Sequence, residues 1–308
     1  LESGWIGTGP RVAQFEREFA AYKSVSAEQV AALNSCTAGL HVSMVAAELE
    51  PGDEVITTPF TFIATAEAIC YVGAVPVFVD IDPYTFNIDL NQVADAITEK
   101  TKAVIPVHLF GQPVDMNALK SLCDDKGLKI VEDCAQSFGA HIDNQQTGSF
   151  GDFGAFSFFP SKNLGCYGDG GLVTTSDEKG ANELRVLRNH GSRERYHHNV
   201  IGYNSRLDEL QAIILRIKLK HIDEYNSNRR RVAHRYSEAL ADTSIQTAFE
   251  DNIGYHIYHQ YTLLHEDRDT IMKALQDNGV ACDDDKSRSP HAVAGSGYKI
   301  YRQLVQGF

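Results

Sequence analysis

Short β-rich runs alternate with amphipathic stretches from Val12 to Leu187, and this alternation constrains the fold more than any other feature of the chain. The candidate strands are Val30–Asn34, Glu54–Thr57, Val75–Val79, Ala103–His108, Lys129–Glu132, Ala155–Phe159 and Leu172–Thr175. The candidate helices are Val12–Tyr22, Ala38–Glu48, Ala64–Cys70, Leu90–Thr98, Met116–Lys126 and Gly180–Leu187. The pattern predicts an α/β fold with a mostly parallel sheet flanked by helices. Because the last two strands are close in sequence, we expect them to form a local antiparallel element.

A further helix is predicted over Asp208–His221, after the alternation has ended. Apolar residues recur there with the i, i+3, i+4, i+7 spacing that is typical of a buried helix face. We therefore expect these residues to face the core: Leu210, Ile213, Ile214 and Ile217.

The βα alternation has stopped by Asn226, which predicts a large domain over residues 1–225 and a smaller one over residues 226–308. The triplet Arg229–Arg231 opens a predicted long helix towards Leu240, and we expect the triplet to lie on a solvated face. Beyond Cys282 the chain is polar and irregular, and no element is assigned to it. The chain opens without Met, and we expect pieces of the natural protein to be missing from both ends.

The composition excludes two classes of partner. The net charge of −13 over 308 residues would repel nucleic acids and anionic membrane surfaces. No apolar run approaches the length of a membrane span. The six cysteines are scattered, without C-x-x-C pairs or metal-ligand spacing, which favours a reducing cytoplasmic location and no metal site.

Lys162 is the first candidate for chemistry. It follows an apolar strand that Pro160 ends, and it precedes a glycine-rich segment, Gly165–Gly171, that would let the backbone approach a ligand closely. Burial beside a ring system would lower the pKa of this amine and free it for attack on an aldehyde. A surface lysine is the alternative interpretation from these residues alone.

Asp133 closes the predicted strand that begins at Lys129, at the edge of the sheet where α/β folds bind ligands. A carboxylate there could bind a metal, a ribose or a protonated ring nitrogen. A metal is disfavoured because no His/Asp cluster has suitable spacing. A ribose is disfavoured because the first strand is not followed by a G-x-G-x-x-G turn, which argues against a nicotinamide dehydrogenase.

The segment Asn34–Leu40 passes from a strand into a helix through small hydroxyl residues, with Thr37 as the predicted N-cap. The free N–H groups at the start of such a helix can bind a phosphate. An ordinary capped helix without a ligand is the alternative.

Taken together, these features resemble the DegT/DnrJ/EryC1/StrS family of sugar aminotransferases, which use pyridoxal 5′-phosphate (PLP). The resemblance covers Ser3 to Ala281, and its motifs follow one another in the order and spacing of that family. They are Ser3–Pro10, Asn34–Leu40, Thr57–Phe62, Val131–Gly139, Phe156–Gly171 and Gly202–Asp208. It implies an aspartate aminotransferase-like fold (PLP fold type I) with a smaller C-terminal α+β domain.

The resemblance also implies roles for individual residues. Lys162 would form the Schiff base with PLP, and Asp133 would hold the pyridine nitrogen protonated. Gln136 would bond the phenolic oxygen and Phe62 would stack on the ring. The phosphate would be held by Thr37, Ala38 and Ser157. Asn204 would complete the phosphate site of the neighbouring subunit, which implies a homodimer with shared active sites.

The implied reaction transfers an amino group from L-glutamate to a nucleotide-linked 3- or 4-keto-6-deoxyhexose by a ping-pong mechanism. Relatives in which histidine replaces the lysine act as sugar dehydratases, so Lys162 favours transamination. The alternatives on the same fold are a cyclitol aminotransferase, a lyase, and a non-catalytic sensor that binds PLP or a sugar.

The implied substrate residues are Trp5, His190 and Arg206. Further cations that could oppose the charge of a nucleotide-sugar are Arg185, Arg188, Arg193 and Arg195. After Ala281 the family continues through a Tyr-Pro/His-Leu segment, whereas this chain continues with Cys282–His291. That departure affects the sugar specificity most.

Overall fold

The structure, a computed structural model, describes residues 4–176, 178–194 and 196–282. Its helices are α1 (Pro10–Lys23), α2 (Cys36–Ala46), α3 (Ala64–Tyr71), α4 (Leu90–Ala96), α5 (Met116–Lys126), α6 (Glu178–Leu187), α7 (Glu209–Leu219), α8 (Ile222–Leu240) and α9 (Arg268–Asp277). Its strands are β1 (Val30–Leu33), β2 (Glu54–Thr57), β3 (Val75–Phe78), β4 (Thr101–Val104), β5 (Lys129–Asp133), β6 (His141–Ile142), β7 (Gln145–Gln146), β8 (Phe153–Ser157), β9 (Gly171–Thr175), β10 (Ser192–Glu194), β11 (His197–His198), β12 (Gln246–Thr247) and β13 (Leu263–Leu264). Most of the stretch Cys282–His291, where we expect a departure from the family pattern, lies outside the described residues, as does Arg195.

One sheet of seven strands has the order β1-β9-β8-β5-β4-β2-β3. From β8 to β3 each neighbouring pair is parallel. Strand β9 is antiparallel to both β8 and β1, so β1 runs in the same direction as β8. The predicted α/β fold with a mostly parallel sheet is therefore confirmed, and β8 and β9 form the expected antiparallel pair.

The sheet is the middle of three layers, because its side chains alternate between two helical faces. In β1, Val30 and Ala32 pack in a cluster with α1 and α7, whereas Ala31 and Leu33 pack in a cluster with α2 and α6. Helices α4 and α5 cover the other half of the first face. Burial on both sides explains why these strands are almost continuously apolar.

The register at the carboxyl ends brings three separate segments together. Gly171 pairs with Leu33 on one side and with Ser157 on the other. A Cβ at position 171 would collide with the backbone of Ser35, so only glycine allows this close approach. The start of α2 therefore lies beside the end of β8.

The predicted buried face of α7 is wrong. Leu210, Ile213 and Ile217 are exposed by 40 %, 37 % and 59 %, and Ile214 is half-buried. The buried residues are instead Glu209, Ala212, Leu215 and Leu219. Helix α7 has two faces with apolar residues at helical spacing. The face that packs against α1 contains Ala212, Leu215 and Leu219, together with the buried Glu209.

Helix α8 begins at Ile222, earlier than the predicted start at Arg229, so the proposed domain boundary near Asn226 lies within a continuous helix. Of the arginine triplet, Arg231 is exposed, while Arg229 and Arg230 are half-buried and donate hydrogen bonds to backbone carbonyls. The expected solvated face therefore applies to Arg231 alone. Across the described ranges, no helix is both long enough and apolar enough to span a bilayer.

Candidate active site

Asp133 is the last residue of β5 and is only 5 % exposed. Its Oδ2 accepts a hydrogen bond from the Thr65 hydroxyl at 2.9 Å, and its Oδ1 accepts one from the Ala135 N–H at 3.1 Å. Burial raises the pKa of this carboxyl, and the two hydrogen bonds and the charge of Lys162 oppose that rise. The site therefore holds a desolvated carboxylate that a bound cation would stabilise.

Lys162 is half-buried on the loop that follows β8, where its backbone N–H donates to the Phe159 carbonyl at 2.8 Å. Burial raises the pKa of the Cys36 thiol, Asp133 raises it further and Lys162 opposes the rise. Lys162 also lowers the pKa of Asp133. The three side chains are thus within electrostatic reach of one another, and the structure brings Lys162 and Asp133 from separate motifs into one site.

Gln136 and Phe62 lie on loops at the carboxyl ends of the parallel strands. The Gln136 Oε1 accepts a hydrogen bond from the Phe110 N–H at 2.7 Å, which leaves the NH2 group as the end that can donate to a ligand. That polarity suits a phenolate oxygen, which only accepts. The Phe62 ring is 61 % exposed, and a stacked ligand ring would cover this apolar surface.

The start of α2 offers backbone donors, but its N-cap is Ser35 and not Thr37. The Ser35 hydroxyl accepts the Ala38 N–H at 3.1 Å. The predicted N-cap, Thr37, lies two residues too late, because helix α2 already begins at Cys36. Thr37 and Ala38 are half-buried in its first turn, and the register through Gly171 sets them beside Ser157. This end of the site combines hydroxyl groups with a helix N-terminus, the donors that a phosphate prefers.

The spacing of these groups fits PLP. Asp133 pairs with Ala155, and Ser157 lies two residues further along β8. Two residues of a strand span about 7 Å, the scale of a pyridine ring with a phosphate on its opposite side. The carboxylate thus lies at one end of the site and the phosphate donors at the other, and Lys162 acts electrostatically on Asp133 and on Cys36, the residue before Thr37.

A fully buried pair beneath Asp133 supports its strand. His108 Nε2 and Glu132 Oε2 are 3.0 Å apart, and His108 Nδ1 accepts the Val114 N–H. Because Nδ1 accepts, the proton of the neutral ring lies on Nε2 and is donated to Glu132. Glu132 also accepts the N–H groups of Gly148, Phe150 and Gly151. His108, Glu132 and Cys134 are grouped closely enough to ligate a metal, but the His108 and Glu132 atoms are already engaged in these hydrogen bonds.

The predicted substrate residues lie in two places. The ring of Trp5 is 56 % exposed near the start of the described chain. His190 is exposed with a left-handed backbone, and Arg206 donates to the Asn189 side chain at 3.1 Å. The bridge between Asn189 and Asn204 brings His190, Asn204 and Arg206 into one group, in which Asn204 is exposed.

Two of the candidate arginines have structural partners instead. The Arg185 guanidinium donates to the carbonyls of Ala27, Glu28 and Val30. Arg188 pairs with Glu16 at 2.6 Å and also donates to the Ala32 carbonyl. Arg185 ties α6 to β1 and the turn before it, and Arg188, just after α6, ties the end of that helix to α1 and β1. These contacts explain both arginines without a substrate. Arg193 forms an exposed ion pair with Glu183.

A mostly parallel sheet with one reversed strand, a lysine after β8 and a buried carboxylate at the end of β5 define the class of PLP-dependent enzymes with the aspartate aminotransferase-like fold. Within that class the chain belongs to the DegT/DnrJ/EryC1/StrS aminotransferase family, whose sequence model matches residues 1–288. The recognition of the family from sequence motifs is confirmed, as are PLP as the cofactor and aminotransfer as the reaction class.

Three relatives illustrate the similarity. UDP-N-acetyl-3-dehydro-alpha-D-glucosamine 3-aminotransferase of Acidithiobacillus ferrooxidans is 52% identical over 273 residues, which are 88% of this chain and 72% of that protein. The crystal structure of S. venezuelae DesV in complex with a ketimine intermediate is 41% identical, with a TM-score of 0.88 over 91% of this chain and 75% of that one. The PLP form of the putative sugar aminotransferase Spr1654 from Streptococcus pneumoniae is 29% identical, with a TM-score of 0.87 over 97% of this chain and 82% of that one.

Proposed function

We propose that this enzyme transfers an amino group from L-glutamate to a nucleotide-linked keto-sugar in two half-reactions, with Lys162 as the residue that binds PLP covalently. The observation that carries the proposal is the placement of Asp133 at the end of β5 and of Lys162 on the loop after the neighbouring parallel strand β8, where the charge of Lys162 also lowers the pKa of Asp133. An amine and a desolvated carboxylate at one sheet edge suit opposite ends of the same cofactor ring.

Each residue has a separate task in this proposal. PLP, when bound, supplies an electron sink for the pair released when the Cα–H bond of the amino donor breaks. Asp133 keeps the ring nitrogen protonated, and Gln136 donates its amide N–H to the phenolic oxygen. Lys162, once displaced by the donor, moves the proton from the donor Cα to the C4′ carbon.

The remaining cofactor residues bind and orient. Phe62 covers one ring face, while Thr37, Ala38 and Ser157 hold the phosphate. This anchoring fixes the reacting carbon within reach of Lys162, and such positioning supplies a large share of the rate of enzymatic reactions.

The substrate class is supported by the relatives. The Acidithiobacillus ferrooxidans protein is named for a UDP-linked 3-dehydro sugar, and a Streptomyces venezuelae relative, 41% identical, for a dTDP-linked trideoxyglucose. We therefore propose a nucleotide-linked keto-sugar, such as a 3- or 4-keto-6-deoxyhexose. Trp5, His190 and Arg206 would contact it, and the cations would oppose the diphosphate locally despite the net charge of −13.

We further propose a homodimer in which Asn204 completes the partner's phosphate site. The exposed apolar stripe of α7, formed by Leu210, Ile213 and Ile217, supports an association surface there. The six free cysteines support a location of the enzyme in the reducing cytoplasm.

The decisive test compares the wild-type enzyme with Lys162→Ala. The purified wild-type protein should show a visible PLP absorption band that bleaches on addition of L-glutamate, and Lys162→Ala should lack the band that depends on the lysine. Lys220→Ala, an exposed lysine on the turn after α7, is the control and should behave as wild type. Turnover retained in Lys162→Ala would refute the assigned role.

The same preparation separates the alternatives. A yellow protein that no amino donor bleaches would point to a lyase or a sensor. Incubation of the glutamate-treated enzyme with UDP- and dTDP-linked 3-keto and 4-keto sugars, scored by mass for the amino product, identifies the acceptor. Amination of a cyclitol in place of every nucleotide-sugar would overturn the substrate class.

A further inference from the structure

Asn163, the residue after Lys162, has both ends of its side-chain amide engaged by two distant parts of the chain. Its Nδ2 donates to the Asn226 Oδ1 on α8 at 2.7 Å. Its Oδ1 lies 2.9 Å from the Nδ1 of His259, in the segment before β13. Asn163 is only 9 % exposed, so water competes little for either hydrogen bond.

These hydrogen bonds form a relay from Phe138 through Asn226 and Asn163 to His259, and the Phe138 end fixes the direction of every donor in it. Asn226 donates through Nδ2 to the Phe138 backbone carbonyl at 3.0 Å, and a carbonyl can only accept. Asn226 must therefore present Oδ1 to Asn163, and Asn163 must present its own Oδ1 to His259. It follows that the proton of His259 resides on Nδ1, whether or not the ring is charged.

The backbone beside this relay requires a glycine. Gly139 has a φ of +95°, and a Cβ there would collide with the Asn226 amide. The relay thus ends at Phe138, two residues after Gln136, and it joins the strand loop that begins at Asp133 to the loop that carries Lys162.

The loop that carries Lys162 is also held by the hydrogen bond from the Lys162 N–H to the Phe159 carbonyl and by two contacts at its base. The Cys166 N–H donates to the Phe158 carbonyl at 2.8 Å, and Lys218 donates to the Gly165 carbonyl at 2.6 Å. Asn163 directly follows Lys162 in the chain, so its two hydrogen bonds help to fix the backbone from which the Lys162 side chain extends.

We propose that Asn163 is a positioning residue for Lys162, and that the Nδ1–H of His259 and the amide of Asn226 fix its orientation. The inference rests on the proposed role of Lys162. Helix α8 and the segment around His259 both act through Asn163. They thereby determine where the Lys162 amine lies relative to the loop that contains Asp133 and Gln136. A misplacement of about 1 Å can lower a rate by about a hundredfold, so the effect should be measurable.

The test uses a matched pair at His259. His259→Asn keeps a donor near the position of Nδ1, whereas His259→Gln places its amide near the position of Nε2 and withdraws that donor. We expect His259→Asn to retain most of the wild-type kcat, and His259→Gln and Asn163→Ala to lose about tenfold to a hundredfold. KM for L-glutamate should stay within about twofold, because the binding groups remain in place.

A spectroscopic measurement separates positioning from general damage. In the PLP-loaded proteins without substrate, the pH midpoint of the visible band reports the environment of the Lys162 nitrogen. It should shift in Asn163→Ala and His259→Gln and stay at the wild-type value in His259→Asn. Ser227→Ala, exposed beside Asn226 on α8, is the surface control and should leave both readouts unchanged.

The outcomes are distinguishable. If the wild-type band does not depend on Lys162, the proposed function itself fails. If that band is present but His259→Gln and His259→Asn have the same midpoint and kcat, the positioning proposal alone is overturned. Thermal unfolding midpoints of the cofactor-free variants verify that each protein is folded.

Discussion

Asp133 is ionisable yet nearly inaccessible to water, and burial raises its pKa despite the hydrogen bonds from Thr65 and Ala135. A carboxyl whose pKa is higher in the folded than in the unfolded protein binds its proton more tightly when folded. Stability contributed by this group therefore falls as pH rises from the unfolded value, near 3.8, through the folded value. Each pKa unit of difference corresponds to about 1.4 kcal/mol.

Because the raised pKa makes the ionised form unfavourable in the folded protein, we predict that Asp133→Asn stabilises the cofactor-free protein at pH 8, with a smaller gain at pH 4, close to the unfolded pKa. The same substitution should weaken PLP binding and reduce kcat by about a hundredfold or more, because the ring nitrogen loses its ionic partner. Urea unfolding at the two pH values, with and without PLP, measures both effects. Asp143→Asn, an exposed turn residue, is the control, and a cofactor-free Asp133→Asn less stable than wild type at pH 8 would contradict the argument.

The sequence predicted the candidate site residues that belong to a recognisable motif and missed the supporting residues that do not. Lys162 and Asp133 follow apolar strands in an order that can be read directly. Thr65 lies on helix α3, and His108 and Asn163 lie on loops. Their importance depends on partners that are distant in sequence. Lys23 is a further example, since it is buried over Phe138 and Phe156, and burial lowers its pKa to about 8.

Helix α1 begins without a side-chain cap of its own, because its N-cap is Gly9 and its first residue is Pro10. The cap is supplied by α7. The carboxylate of Glu209, 1 % exposed, accepts the N–H groups of Arg11 at 3.0 Å and Val12 at 2.8 Å. A negative charge at this position also interacts favourably with the positive end of the α1 dipole.

We therefore predict that Glu209→Ala lowers the free energy of unfolding by about 1–3 kcal/mol, since the N–H groups of Arg11 and of the buried Val12 lose their acceptor. Glu209→Gln keeps one amide oxygen and should lose less. Glu238→Ala, exposed on α8, should change stability by less than about 0.5 kcal/mol. Urea denaturation of the three variants tests the order, and equal losses at positions 209 and 238 would exclude the capping role.

The positions of helices and strands were predictable where the apolar residues follow a single periodicity. The buried face was not predictable where two sets of apolar residues share the same helical spacing. All seven sheet strands and the helices up to α6 lie within a few residues of their predicted positions. In α7, however, Ala212, Leu215 and Leu219 form a stripe as regular as the predicted one, and only contact with α1 decides between them. The start of α8 was predicted too late because the residues before Arg229 are mostly polar. The helix in fact begins at Ile222, where Ile222 and Asn226 are buried.

The apolar stripe that α7 leaves exposed is a feature of the whole molecule. Leu210, Ile213 and Ile217 follow one another at helical spacing, and the exposed side chains of Ile6 and Tyr167 belong to segments hydrogen-bonded to the same helix. If the proposed dimer forms through this stripe, Ile217→Glu should shift the protein to a monomer, since a charge would be desolvated at the interface. Light scattering after gel filtration measures the mass. Asn228→Glu on α8 serves as the control, and an unchanged dimer in Ile217→Glu would place the interface elsewhere.

If the active sites are shared, two inactive subunits should restore each other. Lys162→Ala removes the amine, and Asn204→Glu places a negative charge against the partner's phosphate site, so each homodimer should be inactive. In a mixed dimer, the site that combines Lys162 of one subunit with Asn204 of the other is intact. Random mixing should then recover about a quarter of the wild-type activity, because half of the dimers are mixed and each has one intact site.

The same experiment distinguishes an arrangement in which Asn204 serves its own subunit. Each site of a mixed dimer would then carry one defect, and no activity would return. Subunits mixed after denaturation and refolding, or co-expressed with two affinity tags and purified on both, provide the mixed dimer. An Asn204→Glu homodimer that is fully active by itself would remove Asn204 from the site altogether, whereas restored activity requires that the two subunits build each site together.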